Sequence, residues 1–134
     1  MGDRLWYLSH LVIGRAMEVH RELGPGLLES AYEECLAYEL QRSSLRFDRQ
    51  KALPLVYKTL QLDCGYRIDL LVEELLIVEI KSVCELAPIF DAQVLTYLKL
   101  AKASVGLLIN FNVPVLKHGI KRFVLNSVSS VSLR

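Results

Sequence analysis

Cysteine is scarce in this chain and poorly placed for chemistry: Cys35, Cys64 and Cys84 are odd in number and far apart in 134 residues. No Cys-x-x-Cys pair occurs, which argues against a zinc ribbon, an iron–sulfur cluster or a disulfide framework. The thiols read as packing residues of a reduced, cytoplasmic protein. No apolar run reaches the ~18 residues of a bilayer span, so no membrane segment is expected. The opening stretch MGDRLWYLSH lacks the apolar core and small-residue cleavage site of a signal peptide, and none is expected. Its Met1-Gly2 start is a poor match to a myristoylation signal. Neither sign of charge dominates, with 16 basic against 15 acidic residues and a net charge of +1. No global field therefore announces nucleic acid, and any such contact has to rest on a local patch. Internal repeats and linkers are absent as well. One domain over residues 1–126 is expected, with a Ser-rich, frayed tail over 127–134.

What is present is apolar. Hydrophobic residues make up 52% of the chain, enough for a full core at a size where roughly two-thirds of the unfolded surface can be buried. Asp3 reads as the cap of a helix from about Arg4 to Leu23, whose apolar stripe is Leu5, Leu8, Val12, Ala16, Val19 and Leu23. His10 and His20 do not make the i, i+4 pair of a helical metal site, and both read as surface or boundary residues. Gly24-Pro25-Gly26 turns the chain into a second helix, Leu27 to Arg42, with Leu28, Ala31, Tyr32, Cys35, Leu36 and Leu40 largely apolar. Glu29 and Glu33 stand one turn apart near its start, where the helix dipole favours negative charge.

Extended structure follows. Strands are expected from Arg46 to Tyr57, with Pro54 marking an edge or irregular position, then, after a turn at Lys58-Thr59, from Leu60 to Val72, and from Leu75 to Ser82, as a three-stranded meander. Pro88 and Asp91 open a third helix through about Lys102. Val105 to Asn110, VGLLIN, suits a central strand covered on both faces. Ile120, Phe123 and Val124 suggest a last edge strand. The expected fold class is α/β of the α+β type, a mixed, mainly antiparallel sheet flanked by helices.

The chemistry concentrates in Arg67 to Ser82, RIDLLVEELLIVEIKS. Asp69, Glu79 and Lys81 interrupt runs that would otherwise become buried strands, where charges are costly unless paired, hydrogen-bonded or metal-bound. Glu79 and Lys81 are two apart in a strand and leave the same face. Two carboxylates suit a hard divalent cation, most naturally magnesium. Such an ion acidifies water and stabilises charge on a phosphoryl oxygen, while a lysine orients or deprotonates the attacking water. The arrangement makes a demand on the register. A two-residue Glu73-Glu74 loop would pair Asp69 with Val78 and send Asp69 and Glu79 to opposite faces. An odd-length loop of three or five residues, or a bulge near Asp69, is therefore expected, and Glu-Glu lacks the Gly or Asn that tight two-residue turns prefer. On the next helix, Gln93 and Tyr97 fall at i, i+4 and share a face, placed to flank the ion and position a phosphate or base.

Asp69 followed by Glu79-Ile80-Lys81 resembles the core of the PD-(D/E)XK nucleases, and Gln93 to Tyr97 resembles the Q-x-x-x-Y element of its exonuclease-like branches. Gly26-Leu27-Leu28-Glu29-Ser30-Ala31-Tyr32 is similar to the motif that names the GxxExxY family, a bacterial and archaeal group assigned to that superfamily. Val19-His20, Leu23 to Gly26, Tyr57, Arg67 to Val72 and Gly106 to Phe111 extend the match to nearly the whole chain. Ile68 stands where the motif's name has proline. The resemblance implies a restriction-endonuclease-like αβββαβ core with an extra N-terminal helix. It implies Asp69, Glu79, Glu29 and the Ile80 backbone carbonyl as ligands of Mg²⁺ or Mn²⁺, with Lys81 as the catalytic lysine. Gln93 and Tyr97 would position the substrate. The implied activity is hydrolysis of nucleic acid, DNA rather than RNA, with a homodimer as one means of reaching both strands. The alternative is a catalytically silent module that binds nucleic acid or protein on the same fold.

Overall fold

The computed structural model describes residues 2–125, and the tail expected over 127–134 lies outside them. Helix α1 (Gly2–Leu23) forms as its stripe dictates, with Leu5, Leu8, Val12, Ala16 and Val19 all buried, but Leu23, the last member of the expected stripe, is exposed at the helix end. Asp3 sits inside the first turn rather than capping it, where its charge still meets the positive end of the helix dipole. Gly24 and Gly26 adopt φ of +70° and +102°, which side chains disfavour. The hydroxyl of Tyr32 locks this turn, donating to the Gly24 carbonyl at 2.6 Å and accepting the Leu27 N–H at 3.1 Å. Helix α2 (Glu29–Arg42) consequently starts later than expected, with an exposed Leu28 at its N-cap. The Tyr32 ring stacks on Phe111 at 4.4 Å, and both are fully buried.

Two of the expected strands are broken. The first becomes β1 (Phe47–Ala52) and β2 (Leu55–Tyr57), the second β3 (Leu60–Leu62) and β4 (Arg67–Val72). Pro54 has no N–H to give a ladder, and Gly65, at φ +83°, turns the chain with its N–H on Asp63 Oδ1. β2 and β3 form a separate hairpin, closed at its neck by the Leu53 N–H on the Tyr66 carbonyl at 3.0 Å. The meander that was expected from three long strands is therefore β1, β4 and β5 (Leu76–Lys81), with a hairpin inserted between its first two members.

Helix α3 (Pro88–Ala101) carries the chain across the sheet to β6 (Val105–Asn110), which runs parallel to β5. A 3₁₀ turn (Leu116–Gly119) leads to β7 (Ile120–Val124) at the edge, and the main sheet reads β1-β4-β5-β6-β7. Among the described residues only the β5–β6 pair is parallel. α1 and α2 cover Leu70, Val72, Val78, Ile80, Leu107 and Ile109, while α3 covers Ile77 and Leu108 from the other side. β6 is buried along its whole length, as its unbroken apolar run requires. Its Gly106 admits α3: a Cβ there would stand 3.0 Å from Val94 Cγ1 and 3.4 Å from Leu98 Cδ2.

Candidate active site

The β4–β5 register meets the demand made by the sequence. Leu70 pairs with Val78, Leu71 with Ile77 and Val72 with Leu76, leaving a three-residue loop of Glu73, Glu74 and Leu75. One further step puts Asp69 across from Glu79, on the same side of the pair. There the ladder stops and the carboxylates take its place. The Asp69 N–H donates to Glu79 Oε2 at 2.9 Å, and the Ile80 N–H donates to Asp69 Oδ2 at 2.8 Å. Each acid thus accepts a backbone hydrogen from the opposite strand. Alternation breaks at the same point: Leu70 and Val72 pack under α1 and α2, but Ile68 packs with α3. On β1, Gln50 has φ +50° and drops out of the ladder between Arg49 and Lys51.

That kink brings a carboxamide into the site. Gln50 Nε2 donates to Asp69 Oδ1 at 3.1 Å and to Glu33 Oε1 at 2.8 Å, while Arg49 Nε holds the other oxygen of Glu33 at 3.2 Å. Glu33 is buried, so it needs these donors. Glu29, one turn earlier, is exposed and accepts the Ser82 N–H at 3.3 Å. Ser82 Oγ in turn donates to the Leu27 carbonyl at 2.6 Å, tying the start of α2 to the end of β5. Glu29, Glu33, Gln50, Asp69 and Ser82 line one cleft of about 590 Å³.

Glu79 is 4% exposed. Burial, followed by the charge of Asp69, pushes its carboxyl up to about 8, against the Asp69 N–H bond and the charge of Lys81. The Lys81 ammonium itself lies over the Phe90 ring, 4.4 Å from its centroid, so it faces α3 and makes no ion pair with either acid. Gln93 and Tyr97 share a face as their spacing requires, with Gln93 Nε2 donating to Tyr97 Oη at 3.1 Å. Tyr97 is buried against the sheet, and burial raises its phenol, helped by the charges of Glu79 and Asp69.

A family model described as the PD-(D/E)XK nuclease superfamily matches residues 7–123. The chain belongs to this superfamily. No curated protein and no solved structure matches. Among the described residues, three helices packed on a five-stranded, mainly antiparallel sheet are consistent with the superfamily's restriction-endonuclease-like fold. The superfamily takes its name from nucleases, and those nucleases generally use divalent metals.

The residues fit such an ion. Asp69 and Glu79 offer hard oxygen donors on adjacent strands, and burial first, then the neighbouring Asp69 charge, raises the Glu79 carboxyl, a cost that a bound cation would offset. A third carboxylate does not join them as they stand. Among the described residues no three His, Cys, Asp or Glu side chains form a metal-holding group, because Glu29 is turned to Ser82 and Glu33 to Arg49 and Gln50. Sequence reasoning gave Glu33 only its place in the first turns of α2 and passed over Gln50 altogether. The spacing Glu29 to Glu33 puts both on one helix face, but nothing in the sequence signals the positive φ that aims Gln50 at Asp69.

Proposed function

We propose that this chain is a divalent-metal-dependent nuclease that hydrolyses phosphodiester bonds of DNA. The observation that carries this reading is the interlocked Asp69–Glu79 pair at the open end of β4 and β5, with Lys81 two residues further on the same strand. Asp69 and Glu79, with the Ile80 carbonyl, would hold Mg²⁺ or Mn²⁺, and Glu29 would complete the shell from the cleft wall. Once bound, the ion supplies an acidified water and a countercharge for the phosphoryl oxygens. Lys81 would leave Phe90, as the neutral amine to take a proton from the attacking water or as the ammonium to stabilise the developing charge. Gln93 and Tyr97 position the strand. Gly26, Glu29 and Tyr32 also fit the narrower GxxExxY resemblance, with Tyr32 fixing the turn that presents Glu29.

The test is cleavage of labelled single- and double-stranded oligonucleotides with Mg²⁺ or Mn²⁺, on wild type, Asp69→Ala and Lys81→Ala. Both variants should fold and lose cutting, Lys81→Ala by roughly 10²–10⁴-fold. One observation favours a catalytically silent binding module instead: both oxygens of Asp69 are engaged, by Gln50 and by Ile80. Calorimetry separates the two readings, because absence of Mg²⁺ and Mn²⁺ binding to wild type leaves only the silent module.

A further inference from the structure

The hairpin turned at Lys58-Thr59 stands apart from the main sheet and has an unusual surface. Val56, Tyr57, Leu60 and Tyr66 are 57%, 60%, 54% and 42% exposed, and Ile89 at the start of α3 is 67% exposed. Single exposed apolar residues are ordinary, but so many on one hairpin and the helix beside it mark an interaction surface. Between hairpin and helix lies a pocket of about 250 Å³, walled by Leu55, Tyr66, Ile89 and Leu100 and edged by Gln93 and Thr96. It is smaller than the roughly 300–1,000 Å³ that take drug-sized ligands, and suits one planar ring system.

Its chemistry points the same way. Tyr66 stands edge-on to Tyr97 at 6.2 Å, leaving part of its ring to the pocket and to solvent. Gln93 gives an amide hydrogen to Tyr97 and keeps its carbonyl oxygen for a donor, while the exposed Thr96 lies on the same rim. Cations follow the aromatics directly. Lys58 lies 5.4 Å from the Tyr57 ring centroid, and the exposed Arg67 succeeds Tyr66. Alternating aromatic and basic residues are how single strands are held without sequence preference, by base stacking and backbone attraction. The pocket shares its elements with the site: β4, which follows Tyr66, carries Asp69, and Phe90, which follows Ile89, holds the Lys81 ammonium.

We propose that this pocket stacks one unpaired nucleobase between the β2–β3 hairpin and α3, making single-stranded or locally opened nucleic acid the substrate of the adjoining site. The inference rests on the nuclease reading above for its substrate but is measured without cleavage. A single-stranded oligonucleotide carrying 2-aminopurine, in EDTA, should bind with quenched fluorescence and more tightly than the same sequence as a duplex. Tyr66→Ala should weaken single-strand binding by roughly 5- to 150-fold and restore the fluorescence, while Tyr66→Phe should match wild type. Ile89→Glu, at an exposed wall position, should weaken binding likewise. Equal affinity for duplex and single strand, or unchanged binding in Tyr66→Ala, overturns the proposal. So does a homodimer that Tyr66→Ala dissociates, since the patch would then be a subunit interface. If quenching behaves as expected but no metal supports cutting, the pocket stands and the nuclease reading falls. If the protein cuts and Tyr66→Ala leaves KM unchanged, the nuclease reading stands and the pocket falls.

Discussion

Glu79→Gln should stabilise the metal-free protein, and by an amount that grows with pH. The Glu79 carboxyl ordinarily ionises near 4.5 and is pushed up to about 8 in the fold, first by burial and then by Asp69. A displacement of that size corresponds to roughly 5 kcal/mol of unfavourable ionisation. Below pH 4.5 the folded and unfolded chains both carry the proton, and the group contributes no pH dependence. Between 4.5 and 8 the folded chain keeps a proton that the unfolded chain has lost, so stability falls as pH rises. Above 8 the loss is complete. Glutamine cannot ionise, and its oxygen can still accept the Asp69 N–H that Glu79 Oε2 accepts at 2.9 Å. Urea denaturation in EDTA from pH 5 to 9 should therefore show the variant gaining ~4 kcal/mol on wild type across that range. Magnesium at a hundred times its Kd should then return ~2.7 kcal/mol to wild type at pH 8.5 and little to the variant. A wild-type-to-variant difference that stays constant across this range would refute the reasoning, because the buried carboxylate would then carry no ionisation cost.

Two further substitutions probe the packing that holds the site. Gly106→Ala drives a Cβ against Val94 and Leu98 of α3 and should cost about 1–3 kcal/mol by chemical denaturation, the range for overpacking a filled core. Tyr32→Phe removes the hydroxyl shared by the Gly24 carbonyl and the Leu27 N–H. It should cost about 1–3 kcal/mol and speed amide exchange at Leu27, while Tyr32→Phe at wild-type stability would mean that water replaces the hydroxyl.

The layers of this fold were legible because burial repeats at fixed periods. The α1 stripe from Leu5 to Val19 and the unbroken run of β6 each had one solution, and both occur. The register of β4 and β5 was legible for a chemical reason, since Asp69 and Glu79 meet only across an odd loop. What could not be read were departures from periodicity. The Lys58-Thr59 turn of the hairpin was legible, but a long strand interrupted at Pro54 and another at Gly65 leave nearly the same apolar pattern as unbroken ones, so the hairpin's separation from the main sheet appeared only in three dimensions. Gln50 is the sharper case. Strand alternation sends it away from its neighbour Arg49, yet its φ of +50° lets both reach Glu33, and glutamine carries no propensity for that conformation.

The loop that sets the register shows how such strain is held. Glu73 and Glu74 have φ of +54° and +56°, a conformation costing roughly 1–2 kcal/mol per residue without glycine. Their surroundings differ. Glu73 gives its N–H to the Arg46 carbonyl at 2.8 Å, and its carboxylate accepts the Arg46 N–H at 2.7 Å and Arg4 at 3.0 Å. The Arg46 N–H above all holds that carboxyl below the usual range. Glu74 is exposed and has no such anchor among the described residues. Glycine relieves the same strain at either position and adds about 0.4–1 kcal/mol of unfolded-state freedom. Glu74→Gly should thus stabilise by about 0.5 kcal/mol. Glu73→Gly, losing hydrogen bonds to a charged acceptor worth about 1.5–3 kcal/mol, should destabilise. Urea midpoints moving in opposite directions are expected; a shift of the same sign in both would mean that Glu73's contacts do not hold the loop. The comparison bears on the site, because this loop is what keeps Asp69 across from Glu79.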